Sequence, residues 1–190
     1  MTGLAVAAEP GFALSRIDAP DPAGKPNYTL HTLERLQEEI PHAALFCLMG
    51  ADSYFSLRQW HGSARIPFVA SLIVASRPGQ SLDDLARSLP EGLALDAACR
   101  PAESADPAIE LRSCTLRNAA GRTAAFYVLP GLDVEISASE IRARLGSEPR
   151  DAGAVDPALE LVPAAVARYI REHGLYQSPI HTLPSLPAKG

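Results

Sequence analysis

The chain has 190 residues, 47% of them hydrophobic and 21% charged, which allows one domain with a substantial core and excludes wholesale disorder. A formal net charge of −5, with lysine only at Lys25 and Lys189, excludes the dense cationic stripe of a duplex-binding surface, so no nucleic-acid partner is expected. Nucleotides remain allowed, because one or two well-placed cations suffice for them.

Met1 to Glu9 lacks a basic n-region, and its apolar run ends at Glu9 and Pro10, unlike a signal peptide. No stretch approaches the length of a membrane span, so a soluble cytoplasmic protein with no membrane partner is expected. Phe12, Leu14 and Arg16 alternate with Ala13, Ser15 and Ile17, which predicts a strand over 12–17. Asp18 to Pro26 reads as a loop. Asn27 is the predicted N-cap of a helix in which Leu33, Leu36 and Ile40 recur at three- and four-residue spacing until Pro41 stops it. The apolar run Ala43 to Met49 reads as a buried strand, followed by a short helix from Asp52 toward Trp60. Ser71 to Ser76 is a second buried strand, broken by Arg77-Pro78-Gly79.

Residues 80 to 123 show little periodicity and read as a helix followed by an irregular excursion. Ala124 to Leu129 is a further strand, and a helix is predicted over 137–145. The last helix opens at Pro163, with Val162, Val166 and Ile170 as its apolar stripe, Gly174 at the C′ position and Leu175 packing back. Cys47, Cys99 and Cys114 have no metal-ligand spacing and read as reduced structural thiols. Strands alternating with helices predict an α/β fold with a parallel sheet. Residues 1–177 are expected to form a single domain, with 178–190 as a flexible C-terminal tail.

Several residues could carry chemistry. Gly50-Ala51-Asp52 follows a strand, at the edge where open α/β sheets bind ligands. Asp52 can be read as a ribose contact or as a first-turn helix acid. Ser137-x-x-Glu140 is a capping box. Ser139 and Arg142, three apart on one helix face, would suit a phosphate. Trp60, the single tryptophan, can stack on a flat ring or sit at the core rim. Tyr28-Thr29 at a helix start offers backbone N–H groups to a carboxylate, or is ordinary capping. Arg77 ends a strand near the same edge. The histidines are scattered, with His31 read as lying on a helix surface. The sequence contains no P-loop, no G-x-S-x-G and no Cys/His pairing.

Taken in order, Asn27-Tyr28-Thr29-Leu30-His31-Thr32-Leu33, Gly50-Ala51-Asp52 with Trp60, Leu72 to Gly79, Ile136-Ser137-Ala138-Ser139-Glu140-Ile141-Arg142 and Val162-Pro163 through Tyr176 resemble bacterial nicotinate-nucleotide adenylyltransferases. The resemblance runs from about Phe12 to Tyr176 and is weakest between Gln80 and Ala124; Ala138 and Ser139 stand where the family usually has Ser and Thr. It implies a Rossmann-like nucleotidyltransferase fold and adenylyl transfer from ATP to nicotinate mononucleotide, a step of NAD biosynthesis, with Mg²⁺ assisting. By the same resemblance Tyr28 and Thr29 would present backbone to the nicotinate carboxylate, and Trp60 would stack on the pyridine. Gly50 and Asp52 would contact the nucleotide near its ribose. Ser137, Ser139 and Arg142 would hold ATP phosphates, and Arg77 would lie toward the adenine. A homo-oligomer is left open.

The family begins with a strand entering G-G-T-F-D-P-x-H-x-G-H, which this sequence lacks, and Met1 to Ala8 resembles the helix that normally lies well inside the domain. The first βαβ unit is therefore expected to be missing, through a misplaced start site rather than a true truncation. Losing one comparable transition-state donor costs about 10²–10³ in rate, so impaired turnover is expected. Two alternatives stay open: a non-catalytic nucleotide-binding remnant, and another adenylyltransferase of the superfamily, such as one using phosphopantetheine.

Overall fold

The computed structural model describes residues 1–76, 82–96, 99–104, 106, 109–130, 138–146 and 161–176, with backbone alone at 82, 83 and 144–146. The chain divides into two compact units, 16–133 and 1–15 with 134–190.

The larger unit is built on a six-stranded sheet in the order β1-β2-β6-β5-β3, with β4 also on β5. Strands β1 (Phe46–Gly50), β2 (Ser71–Ala75) and β6 (Thr123–Leu129) run parallel. Antiparallel to β6 runs β5 (Leu111–Asn118), and β3 (Leu93–Leu95) and β4 (Arg100–Ala102) pair with successive stretches of β5. The α/β class and the parallel strands are as the sequence implied. The antiparallel extension replaces the irregular excursion expected over 80–123, after a single-turn helix α4 (Leu82–Arg87). A turn between Asn118 and Thr123 closes the β5–β6 hairpin, with Gly121 at φ +79° as such turns require.

One face of the sheet is the core. Leu72, Phe126 and Cys114 lie side by side across β2, β6 and β5, as do Val74 and Val128, and all are buried. Helix α2 (Thr29–Glu39) contributes Leu30 and Leu33 to this core, and α3 (Ala51–Ser56) contributes Ala51 and Tyr54. Two 3-10 turns, Leu57–Gln59 and Ser63–Phe68, add Leu57 and Ile66. Each fully buried aliphatic side chain contributes roughly 1.5–3 kcal/mol. Tyr54 is sealed in, its hydroxyl donating to the Leu85 carbonyl at 2.9 Å, and burial pushes its phenol well above the usual range, with Arg58 opposing.

Four expectations are corrected. Residues 12–17 form no strand: Phe12 and Leu14 are exposed and no described strand pairs with them, so alternation there has no face to bury. Asn27 is not the cap of α2; Tyr28 holds that position, while Asn27 Nδ2 donates to the carbonyls of Asp18 and Ala19 and ties the loop. The strand after Pro41 begins only at Phe46 and is not buried throughout, with Phe46 54% and Leu48 66% exposed. Cys99 and Cys114 are not thiols but a disulfide, because Cys99, next to β4, falls opposite Cys114 in the β4–β5 register.

In the smaller unit, α1 (Thr2–Val6) packs on the last helix, α6 (Ala164–Glu172), through Ala5, Val162, Val166, Ala167, Ile170 and Leu175. Pro163 stands at the cap just before α6. Gly174 takes φ +56°, and the Leu175 N–H reaches the Ile170 carbonyl at 3.0 Å while Gly174 N–H bonds Arg171. These two bonds make the Schellman ending that Gly174 and Leu175 predicted. The helix α5 (Ala138–Gly146) also belongs to this unit.

Candidate active site

The parallel strands end in a row. Gly50 pairs with Ala75, and Ala75 with Leu129, so the carboxyl edge of β1, β2 and β6 is a continuous rim of the kind that binds ligands in open α/β sheets. Gly50 leads directly into α3, with φ −73°, a backbone any residue can adopt. A Cβ built on Gly50 would meet nothing within 4 Å. Neither conformation nor crowding within the protein therefore demands glycine at that rim. Asp52 lies exposed in the first turn of α3.

A second group gathers on α2, whose first turn starts at Tyr28-Thr29. The loop Trp60-His61-Gly62 presses against that turn. Gly62 has φ +61°, and a Cβ there would lie 2.4 Å from Leu30 Cδ2, so both conformation and contact require glycine. The result is a stack of His61 on Tyr28, with ring centroids 4.4 Å apart. His31 meets the His61 ring edge-on at 5.2 Å and lies 5.6 Å from the Tyr28 ring. An Arg65–Glu34 ion pair pins the following 3-10 turn to α2. Trp60 is half-buried against the core, with its Nε1 donating to Ser56 Oγ at 3.2 Å. Through Gly62 the loop that follows Trp60 thus reaches the first turn of α2, where His61 meets Tyr28.

On α5, Ser139 and Arg142 share one exposed face, as their spacing predicted, and Arg142 Nη2 donates to Ser139 Oγ at 3.1 Å. Ser137 and Arg77 lie outside the described residues. Among the described residues no group of three or more His, Cys, Asp and Glu could hold a metal. Cys47 is a free thiol that burial pushes up, so it is held in the unreactive protonated form. A cleft of about 520 Å³ opens near the opposite, amino end of the sheet, lined by Gln37, Arg65, Phe68, Asn118 and Arg122 among others. Both its arginines are engaged: Arg65 with Glu34, and Arg122 with the Phe68 carbonyl and ring.

His31 lies on the exposed surface of α2, as expected, but its meeting with His61 was not foreseen. The signal was present in Tyr28-x-x-His31, which puts both rings on one helix face, and in a histidine wedged between Trp60 and Gly62. Only the fold carries that loop to α2.

No protein-family model matches the chain. A Geobacter sulfurreducens protein named "Probable nicotinate-nucleotide adenylyltransferase" is 33% identical over 178 residues, covering 93% of this chain and 72% of the relative. The chain belongs to the nicotinate-nucleotide adenylyltransferase family. Proteins of the same name from Aeromonas salmonicida and Hydrogenovibrio crunogenus are 33% and 30% identical, each over 93–94% of this chain and 71–72% of theirs. Among solved structures, Plasmodium falciparum nicotinic acid mononucleotide adenylyltransferase complexed with NaAD superposes with a TM-score of 0.51 at 14% identity. The same enzyme complexed with APC does so equally. These matches cover 83% of this chain but only 60–62% of the Plasmodium chain, and they show the shared fold. Nucleotidyl transfer in NAD biosynthesis is therefore the family's chemistry. No described helix is long and apolar enough to cross a membrane.

Proposed function

We propose that the chain binds ATP and nicotinate mononucleotide and carries the family's adenylyl transfer, yielding nicotinate adenine dinucleotide and pyrophosphate. The observation that carries this reading is the contact of the loop after Trp60 with the first turn of α2 through Gly62 and His61, together with a carboxyl rim where Gly50 is left uncovered. In this reading the free N–H groups opening α2 receive the pyridine carboxylate, and Trp60 packs on the ring. Gly50 lets the nucleotide approach the backbone, and Asp52 accepts from sugar hydroxyls. Ser139, Arg142, Ser137 and Arg77 would serve ATP, the guanidiniums by charge-assisted hydrogen bonds to phosphate.

Chemically, the monoester phosphate of nicotinate mononucleotide attacks the α-phosphorus of ATP, and pyrophosphate leaves with the electron pair of the broken bond. The protein supplies alignment and charge neutralisation rather than a nucleophile. Mg²⁺ would come with ATP and offset charge on its phosphates, a role that would need few protein ligands. These 190 residues carry no G-G-T-F-D-P-x-H-x-G-H stretch, so we expect them to turn over slowly by themselves.

The test is pyrophosphate release from ATP and nicotinate mononucleotide, measured on the 190-residue chain and on a chimera carrying a relative's histidine-motif segment. Slow turnover that the chimera raises by 10²-fold or more, and that Trp60→Ala lowers mainly through KM for the pyridine nucleotide, supports the assignment. Absence of dinucleotide from both chains would refute it and favour a binding-only role.

A further inference from the structure

The cleft near the amino end of the sheet has no part in adenylyl transfer, and its lining residues all belong to the larger unit. Arg65 and Phe68 stand three apart in the 3-10 turn Ser63–Phe68. Side chains at that spacing eclipse one another in a 3-10 helix, so a guanidinium and a ring share one face. From the β5–β6 turn the Arg122 guanidinium lies over the same ring, 4.9 Å from its centroid. Two cations thus attend one aromatic ring, in a cleft to which Val69 and Leu93 add apolar surface.

Neither guanidinium is used up. Arg65 gives Nη2 to Glu34, and Arg122 gives Nη2 to the Phe68 carbonyl at 3.1 Å, out of five N–H donors on each. Asn118 accepts the Arg122 backbone N–H through Oδ1 at 2.9 Å, which leaves its two amide N–H donors over. Such a surplus of donors suits an acceptor-only group, and a guanidinium fork matches a planar carboxylate. Glu91, an exposed residue of the same lining, limits the negative charge the cleft will take. A single carboxylate meets little of that repulsion, and a polyphosphate meets much more. We infer that this cleft is a second ligand site, taking a small aromatic monocarboxylate whose charge is held by Arg65 and Arg122 and whose ring lies against Phe68. The inference stands apart from the adenylyl-transfer reading, because none of these residues belongs to the proposed nucleotide site.

Benzoate is the probe, titrated into the isotope-labelled 190-residue chain and followed by amide NMR, with circular dichroism checking the fold of each variant. It should shift the amides of Arg65, Phe68, Asn118 and Arg122 saturably, with a Kd of about 1 mM or tighter for so small a ligand. Benzamide, which lacks the charge, should bind roughly tenfold more weakly, and so should inorganic phosphate, which lacks the ring. Arg65→Gln and Arg122→Gln should each weaken benzoate by about fivefold or more. Arg122→Lys should recover part of that loss, since it keeps the charge without the fork. Glu91→Gln should tighten benzoate by about two- to fivefold, the scale of one exposed charge. Absence of saturable shifts at these amides, or equal binding of benzoate and benzamide, would overturn the assignment. Phosphate binding as tightly as benzoate, or benzoate affinity unchanged in both arginine variants, would do the same.

Discussion

Replacing Gly62 by Ala would place a methyl carbon 2.4 Å from Leu30 Cδ2 and 3.7 Å from Leu30 Cγ, where carbons in contact prefer about 3.5–4.0 Å. Leu30 is fully buried, so its methyl cannot swing into solvent and the surrounding core must repack, at about 1–3 kcal/mol. A left-handed backbone on a residue with a Cβ adds roughly 1–2 kcal/mol. The sum, about 2–5 kcal/mol, should lower the thermal midpoint by roughly 4–20 °C at this chain length. Because the clash lies between the Trp60-His61-Gly62 loop and the first turn of α2, pyridine-nucleotide affinity should fall as well. The deciding assay is a double-mutant cycle with Leu30→Ala, read by denaturant unfolding. With Ala at position 30 the contact is gone, and Gly62→Ala should cost only the backbone part, about 1–2 kcal/mol. An identical cost in both backgrounds would refute the contact and leave backbone conformation as the whole reason for glycine.

Other measurements reach different parts of the molecule. Arg142→Ala should weaken ATP binding, followed by calorimetry, by about tenfold or more, the loss of one charge-assisted phosphate contact; unchanged affinity would remove Arg142 from the ATP site. Reduction by dithiothreitol, or Cys99→Ser, opens the cross-link spanning a sequence separation of 15 and should lower stability by up to about 3 kcal/mol. In a reducing compartment the same loss would be permanent. Arg117 bonds both carboxylate oxygens of Asp96 and holds that carboxyl below its usual range. The pair therefore stabilises the fold above the unfolded pKa of about 3.9 and loses that effect as pH falls through the lower folded value. Asp96→Asn should melt below the unsubstituted chain at pH 7, and the two should converge in acid; a constant gap down to pH 2 would contradict the assignment.

Several features that depend on neighbours in the chain could be predicted from the residues, although the cap of α2 falls at Tyr28 and not at Asn27. The ending of α6 at Gly174-Leu175, the stripe Val166–Ile170, the strand at β2 and the shared face of Ser139 and Arg142 all follow from residues within a short stretch. The family too was legible, since its stretches occur in register along the chain. The tertiary structure decided what depends on pairing between distant segments. Phe12 to Ile17 alternates like a strand, yet among the described residues no strand pairs with it. The low-periodicity stretch before Ala124 becomes β3, β4 and β5 because β6 offers an edge, and that pairing puts Cys99 opposite Cys114. His61 joins Tyr28 only because Gly62 can lie against Leu30, a contact between positions 32 residues apart in sequence. Local patterns record which face a residue will bury; they carry no information about which distant face it will meet.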